Sequence, residues 1–221
     1  CFSHDWVMMF SNLGKVYRMK AYEIPEGSRT SKGMNIVNLL PLQADEKIMT
    51  ILPVPQIEDG MYVCMGTKKA IIKRTPLELF KNIRKNGLIA LSIDEDDELC
   101  FVKLTDGKSD LMVATKLGKA IRFNENDVRS MGRTARGVRA IKLAEGDEII
   151  GMIVAKEGDR VLTVTETGFG RISEISDYRV QSRGGVGIKT YKCSDVTGNV
   201  VSVTTVKDDE DIMMITSEGV I

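Results

Sequence analysis

Residues 110–123 read DLMVATKLGKAIRF, and this stretch decides the fold. An apolar run closes on Thr115, Thr-x-x-Gly makes a turn, and a second run of basic and apolar residues leaves it. Gly118 stands where a tight turn between two strands asks for positive φ. The arrangement returns as VMMFSNLGKVYRM at 7–19, RVLTVTETGFGRI at 160–172 and IMMITSEGVI at 212–221. A weaker copy, YVCMGTKKAIIKR at 62–74, has Ala70 at the glycine position. Alanine is strained at positive φ, so that turn is expected to be of another type.

The anchors of the five copies are Ser11, Thr67, Thr115, Thr165 and Thr216, in steps of 56, 48, 50 and 51 residues. A second landmark travels with them. Gly33, Gly137 and Gly187 each lie 22 residues after their anchors, and Gly87 lies 20 after its own. Arg29, Arg133 and Arg183 stand four residues before three of these glycines. Lys32 and Arg136 adjoin two of them, and in the second copy Ile83 is followed by Arg84 and Lys85. Each copy then closes with an apolar run and an acidic turn.

The apolar runs are short and rich in Val, Ile, Met and Thr, with glycine or acidic clusters every 8 to 12 residues. Those are strand and hairpin signals. No longer window keeps a 3.6-residue apolar period; Pro76–Ile83 has room for about one helical turn and reads as a loop excursion. An all-β chain is therefore expected. A unit of about 50 residues with about four strands has the size of one propeller blade, and a solenoid is the competing geometry.

The 221 residues, 43% hydrophobic and 28% charged, place the chain among globular proteins. No apolar run is long enough to span a bilayer. The chain begins at Cys1 without a readable leader, which suggests a piece of a longer protein. Cys1, Cys64, Cys100 and Cys193 lack metal-ligand spacing, and His4 is the single histidine. Free thiols in a reducing cytoplasm are the plain expectation, with no metal site. The acidic run Asp94–Glu98 lacks the spacing of a calcium loop and reads as a solvated turn. Tyr17, Tyr22 and Tyr178 read as packing residues, and no nucleotide-binding loop or Ser-His-Asp set is visible.

Net charge is zero, from 31 basic and 31 acidic residues. Its distribution is phased. Four windows running from anchor turn to second glycine (11–34, 66–89, 115–139 and 165–189) hold 23 basic and 8 acidic residues. The remainder holds 8 and 23. Stacked radially, such turns would present a basic stripe suited to a polyanion. Aromatic residues are only 5%, so platforms for single-stranded bases are not evident. No recognition helix is visible either, which leaves phosphate contact to duplex DNA without sequence readout.

Two phrases, FSNLGKVYRMKAYEIPEGSRTSKGMNIVNLLPL at 10–42 and TKLGKAIRFNENDVRSMGRTARGVRAIKL at 115–143, closely resemble the C-terminal domain family of the DNA gyrase A protein. The A-type protein of topoisomerase IV is the nearest rival. The resemblance covers essentially Val7 to Ile221. It implies an all-β, six-bladed, propeller-like β-pinwheel, truncated at both ends here, with residues 1–221 forming one domain. It implies DNA wrapping around a basic rim in support of negative supercoiling by an ATP-dependent type II topoisomerase.

Catalytic residues, ATP and Mg would then belong to other parts of that enzyme, with no cofactor in this domain. The implied partners are duplex DNA, the rest of the gyrase A protein and the gyrase B protein, in the cytoplasm, with the fragment itself a monomer. The implied DNA contacts are Arg29, Lys32, Lys68, Lys69, Arg84 and Lys85, then Lys116, Arg133, Arg136, Arg183 and Lys189. Gln181-Ser182-Arg183-Gly184-Gly185-Val186-Gly187 resembles the family's Gln-Arg-Arg-Gly-Gly-Lys-Gly box, departing from it at Ser182 and Val186. It reads as the degenerate counterpart of that box in a later blade; a working box is the alternative. A protein-binding propeller scaffold and a propeller enzyme with a central site are the other readings of the repeat.

Overall fold

Each repeat becomes a meander of short strands because its apolar runs are too short for helices and are cut by turn residues. A computed structural model describes residues 1–215 except Arg29, Gln56, Glu58, Asp208 and Asp209. Anchor Thr216 and the rim candidate Arg29 thus lie outside the described residues. The first repeat supplies β1 (Trp6–Ser11), β2 (Lys15–Lys20) and β3 (Ile48–Val54). The second supplies β4 (Tyr62–Thr67), β5 (Ile71–Pro76), β6 (Leu88–Ile89) and β7 (Leu99–Thr105). The third supplies β8 (Asp110–Thr115), β9 (Lys119–Asn124), β10 (Val138–Arg139) and β11 (Ile149–Ala155). The fourth supplies β12 (Arg160–Thr165), β13 (Gly170–Glu174), β14 (Ile188–Lys189) and β15 (Val200–Val206).

The strands form four antiparallel sheets, ordered β3-β1-β2-β6, β10-β5-β4-β7, β11-β8-β9-β14 and β13-β12-β15. The short strands β6, β10 and β14 each pair with the preceding repeat, on β2, β5 and β9. This exchange makes the fold a β-pinwheel, with each blade completed by the next stretch of chain. The closing strands β3, β7, β11 and β15 neighbour one another. Thr50, Lys103, Gly151 and Thr204 from those four strands line a common open cleft of about 210 Å³. They are therefore the inner strands, and the exchanged strands form the outer edge.

The apolar runs are continuous because both faces of a blade are covered. Met8, Phe10, Val63 and Met65 pack between the first and second sheets. Cys64, Ile72, Leu111 and Val113 pack between the second and third. Met112, Ala114 and Val161 pack between the third and fourth. Alternate residues of one strand thus serve two different cores, as expected from the two-residue period of a strand.

The anchor hydroxyl has a local job. Ser11, Thr67 and Thr115 accept hydrogen bonds from the backbone N–H of the residue four positions on, at 3.3, 3.1 and 3.2 Å. Ala70 does not change the turn type, contrary to expectation. It takes φ 66°, and its N–H reaches the Thr67 carbonyl at 3.1 Å, as Gly118 reaches Thr115 at 3.0 Å. Its methyl group is buried in the core between the second and third sheets, which offsets the left-handed strain.

One further expectation changes, and one is filled in. The excursion after β5 contains a 3₁₀ turn, Leu77–Phe80, pinned by the buried Leu77 and Phe80. In a 3₁₀ turn residues three apart share a side, so both side chains of this apolar pair face the core. Tyr17 and Tyr178 are buried, but Tyr22 is exposed and meets His4 edge-on at 5.7 Å between ring centroids. All four cysteines are free. Among the described residues no helix is long and apolar enough to cross a membrane.

Candidate nucleic-acid interface

The structure divides the basic windows of the second and third repeats between two places. The anchor turns lie against the acidic turns. Lys68 and Lys116, from consecutive repeats, flank Glu148 at 3.5 and 3.4 Å. Glu148 lifts the Lys68 ammonium above its ordinary range by Coulomb attraction. Lys69 pairs with Asp96, and its backbone N–H reaches Asp97 at 2.9 Å. The Leu117 N–H reaches Asp147 in the same way at 2.9 Å. Lys68 and Lys116 therefore share one carboxylate, and Lys69 has its own, where the acidic turns gather. The run 94–98 serves as a solvated turn there.

The second-glycine loops lie elsewhere, along the outer edge. Arg84 and Lys85 immediately precede β6, and both are exposed. Arg133 and Arg136 precede β10; Arg136 is exposed and meets Asp94 at 3.1 Å. Residues 181–187 precede β14, which carries the exposed Lys189. Lys32 is exposed in the corresponding loop of the first repeat. Glycine is required at the loops entering β10 and β14 by the strand exchange. A Cβ at Gly187 would lie 2.4 Å from the Ala120 carbonyl oxygen, and one at Gly137 would lie 2.6 Å from that of Ile72.

Inside the box-like stretch the residues differ in placement. Arg183 donates from Nε to the Asp127 carbonyl at 2.8 Å and from Nη1 to the Arg139 carbonyl at 3.1 Å. It braces its loop against the neighbouring repeat. Gln181 donates its backbone N–H to the Arg122 carbonyl at 2.8 Å, and Ser182 is exposed. Gly184 holds φ 82°, with Gly185 beside it. Val186 points outward, 62% exposed, at the place where the box has lysine.

The first three repeats converge on an open groove of about 760 Å³ lined by Arg18, Arg84 and Arg133 with Glu78 as the single acid. Arg133 shares this groove with arginines from the two preceding repeats. Arg18 lies over the Trp6 ring at 3.9 Å and donates to the Lys81 carbonyl.

Two sets of cations inside the basic windows escape a sequence reading. Arg18, Arg74 and Arg122 each stand seven residues after an anchor, and each reaches the next repeat. Arg74 meets Asn126 at 2.8 Å and Glu125 at 3.5 Å; Arg122 meets the Ile175 carbonyl at 3.1 Å. The signal was their common phase; in the fourth copy the position is Ile172. Lys73 is fully buried, with Nζ donating to the carbonyls of Ala90 and Arg133. Its sequence signal was a lysine inside an apolar strand.

A family profile described as "DNA gyrase C-terminal domain, beta-propeller" matches residues 5–55, 62–106, 109–156 and 159–208. The chain belongs to the DNA gyrase C-terminal domain family. The four matched segments of that gyrase family coincide with the four repeats. The chain is 46% identical to the DNA gyrase A protein of Staphylococcus aureus over 222 aligned positions, 99% of this chain and 25% of that protein. It therefore spans about a quarter of the curated relatives it matches. Among solved structures, a DNA gyrase A C-terminal domain aligns with TM-score 0.81 at 31% identity, over 95% of this chain and 68% of the other. The C-terminal domain of a DNA topoisomerase IV aligns with TM-score 0.84 at 24% identity, over 93% and 65%, and shares the fold.

Proposed function

We propose that residues 1–221 form one DNA-wrapping unit of a bacterial DNA gyrase A protein, binding duplex DNA along the outer edge without sequence readout. The observation that carries this reading is the set of exposed cations in and beside the second-glycine loops: Lys32, Arg84 and Lys85, and Lys189. Together with the three-arginine groove, they follow the outer edge from blade to blade. Arg136, held by Asp94 at 3.1 Å, is a lesser contributor. DNA carries a charge about every 1.7 Å, so such a row meets successive phosphates. The clustering of Lys68, Lys69 and Lys116 with acidic turns makes those three lysines lesser contributors. Arg183 acts chiefly as a brace, and 181–187 is a degenerate box whose Val186 lacks the phosphate-binding charge.

The rest of the gyrase A protein, the gyrase B protein and ATP-driven strand passage would complete the enzyme in the cytoplasm, the wrapped segment feeding negative supercoiling. The 46% identity to a gyrase protein favours gyrase over topoisomerase IV. The test is a salt titration of duplex binding by the purified chain. If about six phosphates are neutralised, log K falls against log salt with a slope of roughly −5. A slope near zero, or a strong preference for one sequence, would overturn the reading.

A further inference from the structure

We propose that Lys73 is a positioning residue of this outer edge, holding the Arg133 loop by its backbone and becoming more fully protonated when duplex DNA binds there. The proposal rests on the reading of the edge as a DNA contact surface.

The Lys73 side chain is fully buried, yet its Nζ lies between two carbonyls that belong to different loops. It donates to Ala90, just after β6, at 2.6 Å, and to Arg133, just before β10. The same two segments also meet through the Ser92 hydroxyl on the Thr134 carbonyl, at 2.8 Å, and through Arg136 and Asp94. Lys73 is the buried member of these three ties, and it holds the residue whose guanidinium lines the three-arginine groove. The corresponding positions of the neighbouring repeats are Tyr17, whose phenol bonds Glu46, and Ile121. The second repeat alone of these three places a titratable cation there.

The groups facing Lys73 are Met65 across the ladder from β4, the Ala90 carbonyl after β6, and Arg133. Of these only Arg133 is charged, and among the described residues no carboxylate forms an ion pair with Lys73. Burial, with repulsion from Arg133 added, brings the ammonium down to about 8. The cation is therefore held at the margin of its charged state near neutral pH. A phosphate in the groove opposes the field of Arg133 and favours the charged form. By linkage, the protonated protein then binds duplex more tightly. A unit charge about 9 Å away, at an effective dielectric near 40, changes the equilibrium about fivefold. A neutral amine keeps two donors but loses the charge assistance of its bonds, so the Arg133 loop is held less firmly at high pH.

The experiment measures binding of a random-sequence duplex at constant ionic strength between about pH 7 and 9, for wild type and Lys73→Met. Wild-type affinity should fall about threefold across this range, and Lys73→Met should bind more weakly with a flat profile. A flat wild-type profile, or the same slope in both proteins, would overturn the proposal. Should Lys73→Met lose its thermal transition, ¹⁵N-labelled lysine in the wild type decides. The Lys73 midpoint should rise by about 0.7 pH unit when duplex is bound. Duplex binding with an unmoved midpoint would sink this proposal and leave the edge as the DNA surface; no binding in low salt at any pH would sink both.

Discussion

Gly33 and Gly187 occupy the same landmark in the first and fourth repeats, with φ 69° and 65°, but their surroundings differ. A Cβ at Gly33 meets nothing within 4 Å, whereas at Gly187 it would sit 2.4 Å from the Ala120 oxygen and 3.0 Å from Ile141 Cδ1. Replacing either by alanine imposes a left-handed strain of roughly 1–2 kcal/mol. Restricting the unfolded chain returns about 0.4–1 kcal/mol in both cases. Gly33→Ala should therefore destabilise by only about 1 kcal/mol. In Gly187→Ala the loop must also move away from β9. That gives up the Ile188–Ala120 and Lys189–Lys119 pairing and the Thr190 N–H bond to Gly118 at 2.9 Å. At about 1 kcal/mol per hydrogen bond, two or three bonds bring the total loss to about 3–4 kcal/mol. Urea denaturation of both variants, with hydrogen exchange at the Thr190 amide, measures the difference. If the two variants lie within about 0.5 kcal/mol of each other, or the Thr190 amide keeps its protection in Gly187→Ala, strand exchange is not what requires the second glycine.

Arg84→Ala and Arg133→Ala should each weaken duplex binding and reduce the salt slope by about 0.9, and the double variant should lose less than the sum because both line one groove; filter binding at several salt concentrations reads this out. Arg183→Ala should lower stability by about 1–3 kcal/mol through its two carbonyl bonds, while Lys85→Ala leaves the thermal midpoint unchanged; equal midpoints would show that Arg183 is not a brace. For Glu46, burial alone would raise the carboxyl, but bonds from Gln43, Ser11 and Tyr17 and the charge of Lys15 outweigh it and hold it below its ordinary 4.5. A depressed carboxylate contributes stability above pH about 4.5 and loses it as pH falls through its folded value. The stability gap between wild type and Glu46→Gln should therefore be widest near neutrality and narrow in acid; a gap independent of pH would refute the charged network.

By itself the sequence determined the all-β class, the stride of about 50 residues, and the places where turns must fall. These are local consequences of short apolar runs, of a Ser/Thr hydroxyl capping its own turn, and of glycine at positive φ. It also marked the loops that carry Arg84 and Arg133, because a repeat repeats its turns. It could not say which charges face outward. Lys73 and Arg74 sit in the same basic window as Arg84 and Lys85, and Arg122 in the same window as Arg133, yet Lys73, Arg74 and Arg122 are spent on contacts to the next repeat or to its loops. Lys68 and Lys116 are drawn to Glu148, about 80 and 32 residues away along the chain. Phase within a repeat specifies a residue's place in its own blade, but strand exchange and blade stacking choose its neighbours. A charge becomes a free contact, a brace or half of an ion pair according to those neighbours, and only the tertiary structure brings them together.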